Sequence, residues 1–263
     1  MKRTLSPLQL TNSPLVLVLC QVRIAAIRNM ANYLPKIQDR LRREGFPVDL
    51  SGEVQEMTLQ PEGAAEVRRR AHWEFRTMEE DWSIILSEDA VVLQTTIYTD
   101  FDELLGYLAL AMGTVNDVVG DLVVERIGLR YVDLIQPHEG ESWKDYVKPG
   151  FHGLESNLIR PEHSALFAQV VAETGPGQQM IVRVAQNRNG KVLPPDLITH
   201  NPRLRVKAES GELLTLLDLD HYRKERNPFE MESLSGVAWD LHDGLDMLFR
   251  EALVTPHALE VWK

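Results

Sequence analysis

The stretch Leu122-Val123-Val124-Glu125-Arg126-Ile127-Gly128-Leu129-Arg130-Tyr131-Val132-Asp133-Leu134-Ile135 decides the fold class. Its aliphatic and β-branched run, set just after Gly120, reads as one long strand. In front of it stands a helix. Asp100 and Glu103 have capping-box spacing, and Phe101, Leu104, Leu105, Leu108, Met112, Val115 and Val119 recur at the helical period. Further upstream, Trp73 to Tyr98 alternates in short runs, broken by Glu79-Glu80-Asp81 and again by Ser87-Glu88-Asp89, as an antiparallel meander does.

Working outward, Leu15 to Ile24 reads as a strand with apolar even positions. Its odd positions turn from Leu15, Leu17 and Leu19 to Gln21 and Arg23, so one face opens onto something polar. A helix follows from about Asn32 to Glu44, with Gly45 as its stop. Residues 136–162 read as a connection, with a short helix near Trp143 to Val147. Beyond it, strands are expected at Ala165–Glu173, Gln179–Asn187 (with an Asn189-Gly190 turn), Arg203–Glu209 and Leu213–Asp220. A last helix spans about Ser233 to Ala252, and an apolar tail runs from Leu259 to Trp262. The pattern predicts an α+β fold: a mainly antiparallel sheet in two similar halves, 1–135 and 163–263, each carrying a long amphipathic helix, built as one compact unit.

Composition narrows the partners. The chain of 263 residues has a formal charge of -11, which argues against nonspecific nucleic-acid binding. Its 20 arginines against 8 lysines favour bidentate binding of carboxylate or phosphate. The single cysteine, Cys20, cannot form an internal disulfide and points to a reducing compartment. Met1-Lys2-Arg3 opens like a signal peptide, but the apolar run comes late and is followed by Arg23 and Arg28. No stretch reaches the length of a membrane span. A cytoplasmic protein without a membrane partner is expected.

The candidate chemistry centres on the opening stretch. Side-chain alternation puts Arg126 and Arg130 on one face, roughly 13 Å apart, with Gly128 leaving a gap between them. Glu125 and Asp133 fall on the opposite face. If the first strand pairs nearby, Arg23 and Gln21 join the arginines in an anion-binding groove. The competing account pairs each arginine with a carboxylate, for instance from Asp102 or Glu103, or lays it flat over an aromatic ring. A second constellation, Asp218, Asp220 and His242, has the residue types for metal-assisted phosphoester hydrolysis if the three converge. Elsewhere the enzymatic templates fail. No phosphate loop, nucleophile elbow or zinc-ligand spacing is present, so no cofactor and no metal are expected, and Cys20 sits among aliphatics where a thiol is inert. The run Arg68-Arg69-Arg70 reads as a solvated loop.

Several motifs together, namely Pro14-Leu15-Val16 leading to Arg23, Trp82 to Leu86, Leu93 to Tyr98, Glu125-Arg126-Ile127-Gly128-Leu129-Arg130-Tyr131 and Leu241-His242 with Phe249, span nearly the whole chain. With them the sequence resembles a sporadically distributed prokaryotic family of uncharacterised proteins of about this length. The resemblance implies an accessory-gene setting, such as mobile-element or defence loci, and assigns no activity or catalytic residue. The reading that results is a non-catalytic binding or accessory module for an anionic ligand or an acidic partner segment. Its alternatives are a metal-assisted phosphoester hydrolase or nuclease, and a structural subunit of a homo- or hetero-oligomer.

Overall fold

The computed structural model describes residues 10–50, 52–59, 65–154, 165–188, 190–194, 196–197, 202–206 and 211–263, with backbone alone at 53–59 and 65–70. Strand β1 (Leu15–Ile24) leads into α1 (Met30–Arg43), then β2 (Val48–Asp49), β3 (Gly52–Leu59), β4 (Ala65–Arg76), β5 (Trp82–Leu86) and β6 (Ala90–Thr95). Helix α2 (Phe101–Val119), strand β7 (Val123–Ile135) and the short α3 (Trp143–Tyr146) complete the first part. Strands β8 (Phe167–Gly175), β9 (Gln178–Asn187) and β10 (Leu214–Pro228), then α4 (Met231–Leu248) and α5 (Pro256–Trp262), complete the chain. The fold is α+β, with an antiparallel sheet in the order β2-β4-β5-β6-β1-β7-β10-β9-β8 and β3 paired to β4 beside that path.

β7 lies between β1 and β10, its register tied by Gly128 opposite Gln21 on one side and Tyr222 on the other. Its pleat sends Ile127, Leu129 and Ile135 toward the helices, into a core with Val18, Cys20, Val22, Leu104, Leu108, Leu241 and Leu245. Val132 and Leu134 face the other way, into a smaller cluster with Leu17, Leu19 and Leu216, covered by Val192, Leu193 and Leu197. Part of the sheet is therefore buried on both faces. Glu74 and Arg76 show what that does to polar alternation: they are buried and paired, with Arg76 Nε donating to Glu74 Oε1 at 2.8 Å.

Asp100 caps α2 by accepting the Glu103 N–H at 2.8 Å. Gly120 ends the helix at φ +83°, ψ 152°, a region in which an L side chain is strained. α4 passes into a single π-helical turn, Phe249–Leu253, and Trp262 of α5 is buried, so the expected apolar tail is a packed helix. No described helix is long and apolar enough to cross a membrane.

Three local expectations are corrected. Arg68 to Arg70 lie, by their backbone, in β4 rather than in a loop, because the preceding strand β3 supplies their antiparallel ladder partners. Arg203 to Val206 are not a strand, and the rest of that predicted element, with the Asn189 position of the predicted turn, lies outside the described residues. β10 does not stop near Asp220. It continues to Pro228, since both β7 and β9 offer pairing beyond that point.

Gly120→Ala keeps the helix but places a Cβ in that strained backbone. It is expected to cost about 1–3 kcal/mol in a urea melt, with the slope unchanged.

Candidate functional site

The polar face of β7 holds what alternation predicts, in a closed arrangement. Arg126 and Arg130 do share a face, but the gap over Gly128 is filled by Arg126 itself: a Cβ on Gly128 would meet its guanidinium at 3.0–3.1 Å. Arg126 donates to Gln21 Oε1 at 2.9 Å, lies 4.2 Å above the Tyr222 ring centroid and stands 3.7 Å from Asp220. Burial lowers its proton affinity, and the Asp220 charge opposes that. Burial also raises Asp220's, partly offset by Arg126.

Arg130 is held more tightly. Its Nε and Nη2 donate to the two oxygens of Asp218 at 2.6 and 2.8 Å, and its outer nitrogens reach Asp196 as well. Arg183 donates to the same Asp218 oxygen at 2.9 Å. Burial would weaken Arg130's hold on its proton, yet the two carboxylates keep it above the ordinary arginine value. Arg23 is at the exposed end of the row, paired with Asp89 at 2.8 Å. The carboxylate partners are thus Asp218, Asp196, Asp220 and Asp89, from neighbouring strands and loops. Asp102 and Glu103 belong to α2, over the other face.

The expected convergence of Asp218, Asp220 and His242 does not occur. The two aspartates share the arginine face of β10, whereas His242 projects from α4 toward the helix-covered face. His221, next to them in sequence, also points to the helices: its Nδ1–H donates to the Leu241 carbonyl at 3.0 Å, and its Nε2 accepts from Thr174 at 2.8 Å. Among the described residues no cluster of His, Cys, Asp or Glu is placed to hold a metal ion. Cys20 is enclosed in the core, where burial pushes its thiol up to about 12.

What the helix-covered face does contain is a cavity of about 550 Å³. β7 supplies Tyr131 and Asp133 to it, and the β6–α2 junction supplies Tyr98, Asp100, Phe101 and Asp102. α4 adds Trp239, His242, Asp243 and Asp246, and Phe249 contributes from the start of the π-helical turn. These residues converge because Tyr131 and Asp133 are two apart on a strand, while residues 239, 242, 243 and 246 follow the spacing of one helix face.

The walls are ordered by ring contacts. The His242 imidazole stacks on Phe101 at 4.2 Å with an 8° tilt, and Phe101 meets Trp239 edge-on at 4.5 Å. Tyr131 and His242 Nδ1 are hydrogen-bonded at 2.8 Å, and the Tyr98 and Tyr131 hydroxyls bond to each other. Burial pushes both phenols up, so they stay protonated as hydrogen-bonding groups.

Asp133 is the outlying group. Only 3% of it is exposed, it lines the cavity, and among the described residues no hydrogen bond or ion pair reaches its carboxylate. Burial, reinforced by the charge of Asp218 across the sheet, pushes it up to about 8. A carboxylate in this setting has three outcomes: it keeps a proton, draws in water, or takes a cationic guest.

Sequence reasoning placed Asp133 on the face opposite the arginines and stopped there. The available signal was an acid among Ile127, Leu129 and Ile135, on the apolar side of a strand. Tyr98, Phe101 and Trp239 carried no such signal, because each reads equally well as core. No protein-family model and no curated protein sequence matches the chain. The chemistry of the cavity has to be read from its own atoms.

Two outcomes are expected. Arg130→Gln strips Asp218 of its bidentate partner but leaves Arg183 on one of its oxygens, and should cost about 1–3 kcal/mol in a denaturant melt. For Asp133 the folded pKa lies above the unfolded one, so the folded state keeps a proton that the unfolded chain has lost. Stability then falls as pH rises from about 4 in the unfolded range to about 8 in the folded one. Asp133→Asn removes that loss, and its advantage in melting temperature over the native chain should grow between about pH 5 and about pH 8.

Proposed function

We propose that this chain is a non-catalytic binding module whose ligand site is the cavity between β7, α2 and α4. One observation carries the reading: a space within the size range of small-molecule pockets is lined by a buried carboxylate, Asp133, that has no hydrogen-bond or ion-pair partner among the described residues. The groups that catalysis would recruit are engaged elsewhere. Asp218 and Asp220 face arginines, His221 is bonded at both ring nitrogens, and His242 Nδ1 is bonded to Tyr131.

The finer parts of the sequence reading remain within this proposal. Each part of the chain contributes one long helix to the site, α2 or α4, which supports two amphipathic-helix halves sharing a binding cleft. A cytoplasmic accessory role, in the kind of locus the family resemblance implies, suits a reduced, buried thiol. A subunit role is supported by the edge strand β8, which exposes Phe167, Val170 and Val171.

A second reading keeps the anionic ligand at Gln21, Arg23, Arg126 and Arg130. The long Arg126–Asp220 separation of 3.7 Å favours it, since a stronger anion could displace that contact.

A ligand-observed NMR screen with small aromatic amines, alcohols and carboxylates separates the two. Binders are expected that survive Arg126→Gln and are lost in Trp239→Ala, with folding of both variants checked by circular dichroism. Binders with the reverse dependence would move the site to the arginine face. A screen empty of binders would overturn the module reading.

A further inference from the structure

Resting on the cavity being the ligand site, we propose that it takes a neutral ligand headed by a cis amide, a primary carboxamide or a lactam, whose C=O and N–H pair side by side with the Asp133 carboxyl.

The sheet register fixes what surrounds that carboxyl. Asp133 stands opposite Leu15 of β1 and Leu217 of β10, and its neighbours two residues away along β7 are Tyr131 and Ile135. These four positions share its face of the sheet. Three are aliphatic, and the Tyr131 hydroxyl is taken up by His242 and Tyr98. Asp133 is 3% exposed and lines the cavity, with no hydrogen bond or ion pair reaching its carboxyl among the described residues. Its oxygens are not sealed in. The side-chain atoms shut off from both solvent and partner belong, among the described residues, to His72, Gln94 and Thr114. Asp133 is a polar group turned to the hollow and short of a partner.

A carboxyl so placed keeps its proton. Ionised among aliphatic neighbours, it would lose hydration with nothing to replace it. The other titratable groups around the space are Tyr98, Asp100 and Asp102 from the β6–α2 junction, and His242, Asp243 and Asp246 from α4. Asp100 caps α2, Asp246 pairs with Arg250, and Asp102 and Asp243 are exposed. The charge of the ligand is therefore read from Asp133 and not from these acids. Burial, with the Asp218 charge behind the sheet, pushes Asp133 up to about 8, so near neutral pH it offers an O–H beside a C=O.

That pair is the complement of a cis amide, which offers a C=O beside an N–H. Two hydrogen bonds form in one plane, and neither partner has to ionise. A ketone answers only the O–H. An ammonium ion is met by a carboxylate only after the proton has left for solvent. The apolar part of the ligand rests against Leu15, Phe101, Leu219 and Leu245, which line the same space.

The test uses the full chain and four bicyclic probes of similar shape: oxindole, N-methyloxindole, 2-indanone and isoindoline, the last a cation at neutral pH. Ligand-observed NMR titrations from about pH 6 to about pH 9.5 read affinity against pH. At the acid end oxindole is expected to bind about fivefold to tenfold tighter than N-methyloxindole or 2-indanone, since each of these forfeits one of the two bonds. The protonated carboxyl is the binding form, so oxindole affinity should fall about tenfold per pH unit above about pH 8. Asp133→Asn keeps a donor beside an acceptor and cannot ionise. It should bind oxindole without that fall, and because it retains His242, any pH dependence left in it belongs to the imidazole. Asp133→Leu should bind oxindole and 2-indanone alike. Isoindoline binding tighter than oxindole, and tighter still as pH rises toward about 8, would overturn the amide and give the cavity to a cation. Equal binding of oxindole and 2-indanone by the native chain, or an oxindole preference that survives Asp133→Leu, would overturn the pairing with Asp133 and leave the module reading standing. If none of the four binds while other ligands bind in a Trp239-dependent way, the amide assignment fails alone. If nothing binds in that way, the cavity reading fails with it.

Discussion

Everything distinctive about this molecule depends on strand β7 being hydrogen-bonded on both edges and covered on both faces. Between β1 and β10 it has no free edge, and neither of its side-chain rows is left wholly to solvent. Polar residues on such a strand cannot be left to water. They must find partners in the protein or be left short of one. Both outcomes occur, on opposite faces of the same stretch. Arg126 and Arg130 find carboxylates, a ring and an amide, whereas Asp133 finds no protein partner among the described residues.

The two faces are therefore different kinds of structure. On the arginine side, Arg130, Arg183, Asp218 and Asp196 form a linked set in which each guanidinium and carboxylate answers another. Buried ion networks of this type contribute modest net stability, because desolvation opposes attraction, but they punish the loss of a single member. On the helix side, α4, the start of α2 and β7 meet around the cavity. There the hydrophobic packing gives way to stacked rings, a hydroxyl–imidazole contact and an acid, Asp133, with no partner among the described residues. An arrangement that departs from close packing and from charge pairing at the same place is where a binding role is most economically sought.

Fixed alternation made one half of this visible beforehand. That Arg126 and Arg130 share a face, and that Asp133 lies on the other, follows from the pleat alone. The partner of each was not legible. Asp218 reaches Arg130 only because β10 pairs with β7 in one particular register, and Asp196 arrives from a loop far along the chain. His242 was legible as a half-apolar helix position, but its neighbours Phe101 and Tyr131 come from separate elements. The residues that resisted reading, Tyr98, Phe101 and Trp239, are aromatic side chains whose pattern is the same whether they fill a core or line a hollow.

By itself the amino-acid sequence determined the local elements: Asp100 and Gly120 as the ends of α2, the two-residue alternation of β5, β6 and β7, and the polar turn of β1 at Gln21 and Arg23. These depend on contacts a few residues apart, or on a repeat that the backbone imposes on every side chain. Only the tertiary structure decided that the arginine row is closed by Asp218, Asp196 and Asp220, and that the opposite row opens into a cavity. Alternation tells a side chain which way to point, but what it meets there is set by strand order, register and helix packing, and these are long-range.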